Sequence, residues 1–297
     1  GCAAVSGQRG TAPLSARHAA PMASKVSSRE LGLVLGARIL KTRDLHYGLW
    51  TPDLELAVRN LPEAQRRYSE FLIGRIPAGV RSILDVGCGT GGLAEQLVAR
   101  GYQAECISPS PELTRLARER LGPRVPIHEC TFEAFRGERR FDLVLFAESF
   151  QYIPLGASLP GAVALLAEPG HVLISDFFRT GAAGESALRG GHDLQRFYAA
   201  LRKQPLEILS DEDITAQTAP NLDLVDQLIS DYAQPFYESF GYYLRANHPW
   251  LAALGRRLLR RRLERIEFKY FSHQRNAAAF RRHKSYRTLL LRKTAMA

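Results

Sequence analysis

ILDVGCGTGG, residues Ile83–Gly92, decides how this chain is read. Ile83 and Leu84 end an apolar, β-rich run, Gly87, Gly89 and Gly91 follow at alternate positions, and a helical pattern starts near Gly91. Glycine lets a backbone turn sharply and lets a ligand approach where any Cβ would displace it. A strand, a glycine-rich loop and a helix in that order accept a nucleotide. The spacing Gly87, Gly89, Gly92 also satisfies GxGxxG, so spacing alone leaves dinucleotides open. Asp85 discriminates. It stands two residues before the first glycine, where dinucleotide enzymes usually keep an apolar strand residue, and a carboxylate there attracts the ammonium of a methionine-like moiety, directly or through water.

Bulk properties set the frame. The chain has 297 residues, 45% apolar and 24% charged, enough for one elaborated domain or a core with a smaller lid. No run reaches the roughly 18 to 20 apolar residues of a membrane-spanning helix, and no signal sequence opens the chain, so a cytoplasmic location is expected. Cys2, Cys88, Cys106 and Cys130 show no CxxC spacing; free thiols and no metal are expected. The net charge of +10 is uneven. Residues 241–297 hold fifteen Lys/Arg against Glu264 and Glu267, a net of +13, which leaves about −3 upstream.

Working outward from the loop, residues 1–29, rich in Ala, Gly, Ser and Pro, read as a disordered leader with Met22 a candidate start. Residues 30–75 read as an N-terminal helical cap, with one helix over Glu55–Ile73. Short β-rich runs then alternate with helical stretches: RSILDVG, YQAECIS, PIHEC, FDLVLFA, GHVLISDFF, LEILSDEDIT and SYRTLLLRK. Helices are expected at Gly91–Arg100, Ser110–Leu121, Leu159–Leu166 and His192–Lys203. The fold class is α/β: a Rossmann-like, seven-stranded, mostly parallel sheet with helices on both faces, N-terminal helices and a helical lid before the last strand. The core spans 76–219, the lid 220–284, and the last strand lies in 285–297.

DVGCGTGG in this position resembles the first motif of the class I S-adenosylmethionine-dependent methyltransferases, and the resemblance continues to about residue 293. It is specific over Ile83–Pro154 and extends toward the ubiquinone, tocopherol and sterol C-methyltransferase group. It implies S-adenosylmethionine as cofactor, S-adenosylhomocysteine as product and no metal. Asp85, Gly87, Cys88 and Gly89 would form the cofactor loop. GYQAECISPSPEL resembles the second strand; Ser108, with Pro109, falls where the family has an acidic residue on the ribose hydroxyls, and is preferred over Glu105. CTFEAF resembles the third motif, placing Thr131 and Phe132 at the adenine, although Phe132 also reads as core. FDLVLFAESFQYIP resembles the fourth strand and its loop: Ala147 and Glu148 would line the methionine, with Phe150, Gln151 and Tyr152 at the acceptor. Tyr152 replaces a histidine common there, and a phenol is a weaker base.

DLHYGLW, residues 44–50, resembles the HYGxW segment that closes over cofactor and acceptor in those relatives. It implies Tyr47 at the methionine carboxylate, His46 as base or orienter and Trp50 at the acceptor, with Gly48 as a bend; packing on the core is the competing reading. Asp213 and Thr215 read as caps. Aromatic residues Tyr232, Phe236, Tyr237, Phe240, Tyr242 and Tyr243 lie at helical spacing and read as core or pocket lining. NHPWLAALGRRLLRRRLERI opens with Asn247 as cap and carries an apolar stripe among arginines; helix 250–268 reads as a solvated surface helix or as a peripheral contact for an anionic membrane. No (D/N)PPY or Pro-Cys motif is present. A small acceptor, apolar or aromatic, is therefore expected and no nucleic acid; the alternatives are a nucleic-acid-directed enzyme using the basic helix, or a Rossmann-type binder of another nucleotide.

Overall fold

Strand β1, Ser82–Val86, is buried along its whole length. In the computed structural model, which describes residues 44–184 and 186–294, it lies between two parallel neighbours, β2 (Gln103–Ile107) and β4 (Phe141–Ala147). The expected leader and the first part of the helical cap lie outside the described residues. β3 (Ile127–His128) extends the sheet beyond β2, and β5 (Leu166–Arg179) beyond β4. β7 (Lys284–Lys293) runs antiparallel between β5 and β6 (Leu206–Asp213). The order is β3-β2-β1-β4-β5-β7-β6. All seven expected strands form, and the sheet is mostly parallel with one antiparallel edge.

This order reverses direction between β1 and β4. In an open α/β sheet, the crevice outside the carboxyl ends at that reversal is where ligands bind. The loops after β1 and β4 therefore face each other, and a hydrogen bond from Ser149 Oγ to the Val86 carbonyl joins them. Side chains alternate across β4: Leu143 and Leu145 join one core layer, Val144 and Phe146 the other.

Helix α1 covers Leu61–Ile73, later than the sequence suggested, with Pro62 in its first turn. α2 is Gly92–Ala99 and α3 Pro111–Leu121, where Ser110 accepts from Leu113 N at 3.2 Å as the cap. α4, Leu155–Leu165, starts four residues before the expected Leu159 and carries Pro160 inside it. α5, Leu194–Leu201, is capped by Asp193.

Between β6 and β7 the chain is helical, as expected: α6 (Thr215–Thr218), α7 (Pro220–Leu228), a wide turn, α8 (Gln234–Asn247), α9 (Pro249–Ile266), a second wide turn and α10 (Ala277–His283). Two expectations are corrected here. Asn247 closes α8, and His248 takes the cap position of α9. The aromatic run is neither core nor pocket: α8 and α9 pack on each other and bury no residue, with Phe236 72% and Tyr242 70% exposed.

Candidate functional site

The loop after β1 is held by main-chain bonds from Gly87 N and Cys88 N to the Ile107 carbonyl, and Gly91 N closes it on Cys88 O. Gly87, Gly89 and Gly91 all have positive φ, a conformation that side chains resist. Their roles differ. A Cβ on Gly87 would lie 2.5 Å from Ser149 Cβ, so this glycine lets the β4 loop close in. A Cβ on Gly89 would meet nothing nearer than Leu45 Cδ1 at 4.0 Å, so the space beside it belongs to the crevice. Cys88 turns its side chain into a small cluster with Ala94, Cys106 and Val125, which leaves its backbone to the loop.

Asp85, the penultimate residue of β1, is 1% exposed, and its Oδ2 has no hydrogen-bond partner. Burial alone pushes its carboxyl up to about 7. A buried acid without a partner is costly unless a cation or donor arrives with the ligand. Glycines that leave room beside the backbone and an orphaned carboxylate behind them fit the amino-acid end of S-adenosylmethionine.

The HYGLW segment is stitched down over the crevice. Gln65 Nε2 donates to the carbonyls of Asp44 at 3.0 Å and His46 at 2.7 Å; Leu49 N bonds Ala64 O and Trp50 N bonds Gln217 O. Asn221 Oδ1 accepts from Gly48 N at 2.8 Å and Trp50 Nε1 at 3.1 Å, while its Nδ2 donates to Gly48 O at 2.7 Å. Two expectations fall. Gly48 is required by close approach, since its Cβ would sit 2.5 Å from Ala64 Cβ. Trp50 packs with Leu61, Ala64 and Leu224 in a separate cluster, so its ring makes no wall for an acceptor.

Tyr47 is half-buried and packs against the core. Its ring stacks at 6.3 Å on Phe177 and lies 6.0 Å from Phe280 and 6.1 Å from Tyr286. Burial and the Glu148 carboxylate raise its pKa, so the hydroxyl stays a donor. His46 lies 4.8 Å from the Tyr68 ring, with Nδ1 2.8 Å from Tyr47 O and Nε2 3.3 Å from Ser69 Oγ. Burial lowers its pKa and favours the neutral imidazole.

Glu148 follows β4 with φ of +56°, in the left-handed region. Its Oε1 accepts from Tyr47 N at 2.7 Å and Tyr286 Oη at 2.8 Å, and burial pushes it up to about 8. From Tyr286 a chain of hydroxyls continues through Tyr68 at 2.8 Å to Ser175 at 3.0 Å and on to Thr288 at 2.9 Å. Asp176 is wholly buried; it accepts from Gln151 N and Nε2 and from Phe177 N, and burial pushes it up to about 7. Sequence reasoning missed Tyr68, Asp176 and Tyr286. A lone acid in the apolar run HVLISDFF was the one available signal.

The remaining candidates separate. Ser108, 1% exposed, and exposed Pro109 lie at the carboxyl end of β2. Glu105 instead pairs with Arg139 at 2.7 Å and His128 at 3.1 Å on the outer side. Thr131 caps the turn Phe132–Ala134. The Phe132 ring packs edge-on to Phe146 at 5.4 Å in the core, so only its backbone remains for an adenine. Phe150 is fully buried among Phe146, Phe178 and Phe197, and this corrects its assignment to the acceptor. Ala147 is half-buried, Gln151 is held by Asp176, and Tyr152 is 52% exposed. Asp213 Oδ1 accepts from Thr215 N, whose Oγ1 accepts from Tyr286 N; both residues are structural. Among the described residues no group of His, Cys, Asp or Glu is placed to hold a metal, and no helix is long and apolar enough to cross a membrane.

Residues 83–170 match the family described as Methyltransferase domain. Similar curated proteins include a ubiquinone biosynthesis O-methyltransferase of Albidiferax ferrireducens, 31% identical over 45% of this chain and 55% of that protein. The counterpart of Thiobacillus denitrificans is 29% identical over 66% of this chain and 92% of its own length. The chain spans about half the length of the first of these relatives. Among solved structures, the geranyl diphosphate C-methyltransferase of Streptomyces coelicolor shares the fold with a TM-score of 0.58 and 14% identity, over 84% of this chain and 87% of that one. A 4+2 cyclase shares it with 0.61 and 18%, over 91% and 97%.

Residues 83–170 thus match a methyltransferase domain, and the strand order and glycine loop around them belong to a fold shared with solved methyltransferases. The curated relatives it resembles are named as enzymes of ubiquinone biosynthesis, and the geranyl diphosphate enzyme is alike in fold.

Proposed function

We propose that this chain transfers the methyl group of S-adenosylmethionine to a small apolar or aromatic acceptor. The observation that carries the reading is the buried, unpartnered Asp85 Oδ2 behind the glycine loop. When bound, the cofactor supplies a methyl already activated on a sulfonium, so the protein's task is alignment and exclusion of water. Asp85 holds the ammonium; the backbones of Gly87, Cys88 and Gly89 cradle the nucleoside side. Tyr47 donates to the methionine carboxylate. Ser108 and Pro109 meet the ribose, Thr131 and the Phe132 backbone meet the adenine, and Ala147 and Glu148 line the methionine chain. Neutral His46, its Nδ1 turned to Tyr47 O and its Nε2 to Ser69 Oγ, serves as an orienter and not as a free base, and Gln151 and Tyr152 are assigned to the acceptor.

Location is part of the same reading. The hairpin α8–α9 exposes Trp250, Leu254 and Leu258 among arginines, which supports peripheral contact with an anionic membrane. Cys88, Cys106 and Cys130 are unbridged, in keeping with a cytoplasmic home.

The 4+2 cyclase carries the same fold, so activity has to be measured. Purified protein is incubated with methyl-labelled S-adenosylmethionine and a panel of quinol, phenol and lipid-like compounds, and label is followed by mass. The expected result is a labelled product with equimolar S-adenosylhomocysteine. Stabilisation by NADP and none by S-adenosylhomocysteine in a thermal-shift assay would refute the reading.

A further inference from the structure

We propose that the α8–α9 hairpin enters an anionic bilayer tip first, with the Trp250 ring among the upper acyl chains and the α9 arginines at the lipid phosphates, an inference that rests on the membrane contact read above and deepens it. The hairpin is built inside out. Helices α8 and α9 pack on each other, and the less exposed positions, Gly241, Leu244, Ala252, Gly255 and Leu263, mark their seam. Bulky apolar side chains point away from it: Phe240 is 52% exposed, Tyr243 53%, Trp250 67% and Leu254 48%. A hairpin surrounded only by water reverses this arrangement, because apolar area left in water costs roughly 25 cal/mol per Å².

Charge along the hairpin sets the direction of entry. Residues 246–255, which turn the corner from α8 into α9, hold no Asp, Glu, Lys or Arg. Arg256, Arg257, Arg260, Arg261, Arg262 and Arg265 follow, all exposed, with Glu264 the one acid among them. At 1.5 Å per residue, Arg257 stands about 10 Å behind Trp250 along α9 and Arg265 about 22 Å behind. The headgroup layer of one leaflet is roughly 5 to 8 Å deep. With Arg256 and Arg257 at the phosphates, Trp250 therefore reaches the top of the hydrocarbon, and the later arginines stay in the surface field of the lipids. Tyr243, whose ring lies 6.2 Å from that of His248, adds a second amphipathic ring beside the corner, the side-chain type that favours this boundary.

The opposite end of the hairpin is tied to the fold. Tyr237 Oη donates to Glu267 at 2.8 Å, and His273 Nδ1 lies 3.2 Å from Asp226 Oδ2 on α7, so the corner is the end left to enter. Among the described residues no helix is long and apolar enough to cross a membrane, and the entry is shallow. Two other occupants fit less well. A second copy of this chain would bring two arginine rows together about a two-fold axis, and an acidic protein would meet the arginines but leave the uncharged corner uncovered.

The test follows tryptophan emission of the full chain mixed with vesicles of phosphatidylcholine alone or of phosphatidylcholine with phosphatidylglycerol, each made with and without lipids brominated on the acyl chains. Trp50, 6% exposed and bonded to Asn221, supplies a constant background, so Trp250 is the reporter. The anionic vesicles should bind at least about tenfold more tightly than the neutral ones, shift the emission to shorter wavelength and, when brominated, quench it. Trp250→Phe should remove the shift and the quenching. Leu254→Asp, a change at an exposed position, should weaken binding to anionic vesicles at least about tenfold. Sedimentation with anionic vesicles but without shift or acyl-chain quenching overturns tip-first entry and leaves the peripheral contact standing. Absence of sedimentation with either vesicle removes the peripheral contact too. A concentration-dependent dimer that Leu254→Asp dissociates, with no response to vesicles, overturns the proposal by giving the corner to a second copy.

Discussion

Glu148 occupies a left-handed backbone conformation that a non-glycine residue adopts only when its surroundings enforce it. The enforcement comes from the two donors on Oε1, Tyr47 N and Tyr286 Oη. Tyr286→Phe removes one of them and also breaks the hydroxyl chain to Tyr68, so it should cost about 1 to 3 kcal/mol in urea unfolding. Tyr286→Leu should cost more, since it also empties a ring site. Of this arrangement the sequence motif revealed only that Glu148 follows β4. Tyr68 and Tyr286 come from distant segments, and no local pattern marks hydroxyl bonds between partners more than a hundred residues apart; Asp176 binds Gln151, 25 residues away on the next loop. Asp85 was legible because its offset from the glycines is itself the signal. Phe150 and Trp50 were misassigned because an aromatic beside a functional loop reads the same whether its ring faces the crevice or the core.

At the scale of elements, the strands were legible because each is an apolar run bounded by turn residues, and their order follows from the alternation with helices. The end of α4 nearest Pro154 was not, since Gly156 and Pro160 both suggest a break where the helix in fact continues. The aromatic face of α8 was misread because helical spacing of rings fixes that they share a face, not what lies opposite it. Of the side chains that hold the strap, Asn221 makes the most bonds to it. Asn221→Ala would leave Gly48 N, Gly48 O and Trp50 Nε1 without their partners, and a loss of about 2 to 4 kcal/mol is expected. Amide exchange should then accelerate first over residues 46–50; uniform acceleration across the sheet would contradict the assigned role. Reversing Arg257, Arg260 and Arg261 to Glu in α9 should abolish sedimentation with anionic phospholipid vesicles at low salt, while unchanged sedimentation would remove the membrane reading.

For the molecule as a whole, the site is built at the expense of stability. Asp85 and Asp176, each pushed up to about 7, and Glu148, pushed up to about 8, keep protons in the folded state that the unfolded chain has already released. Stability of the ligand-free protein should therefore fall as pH rises through 7 toward about 8.5. The lowered pKa of His46 acts in the opposite sense, but its effect is complete once the pH exceeds about 6.5. Asp85→Asn removes one ionising group without changing shape, so at pH 8 the ligand-free variant should melt above the unsubstituted protein; an equal or lower midpoint would mean that Asp85 is not stressed by burial. The most direct measurement is calorimetric titration of the nucleotide-free protein with S-adenosylhomocysteine, across pH 6 to 8.5, beside Asp85→Asn. The account predicts saturable binding that tightens with pH up to about 7 and then levels, with a proton released below that point, and at least about a tenfold loss without pH dependence in the variant. Absence of binding at millimolar ligand, or equal affinity in the variant, would contradict it.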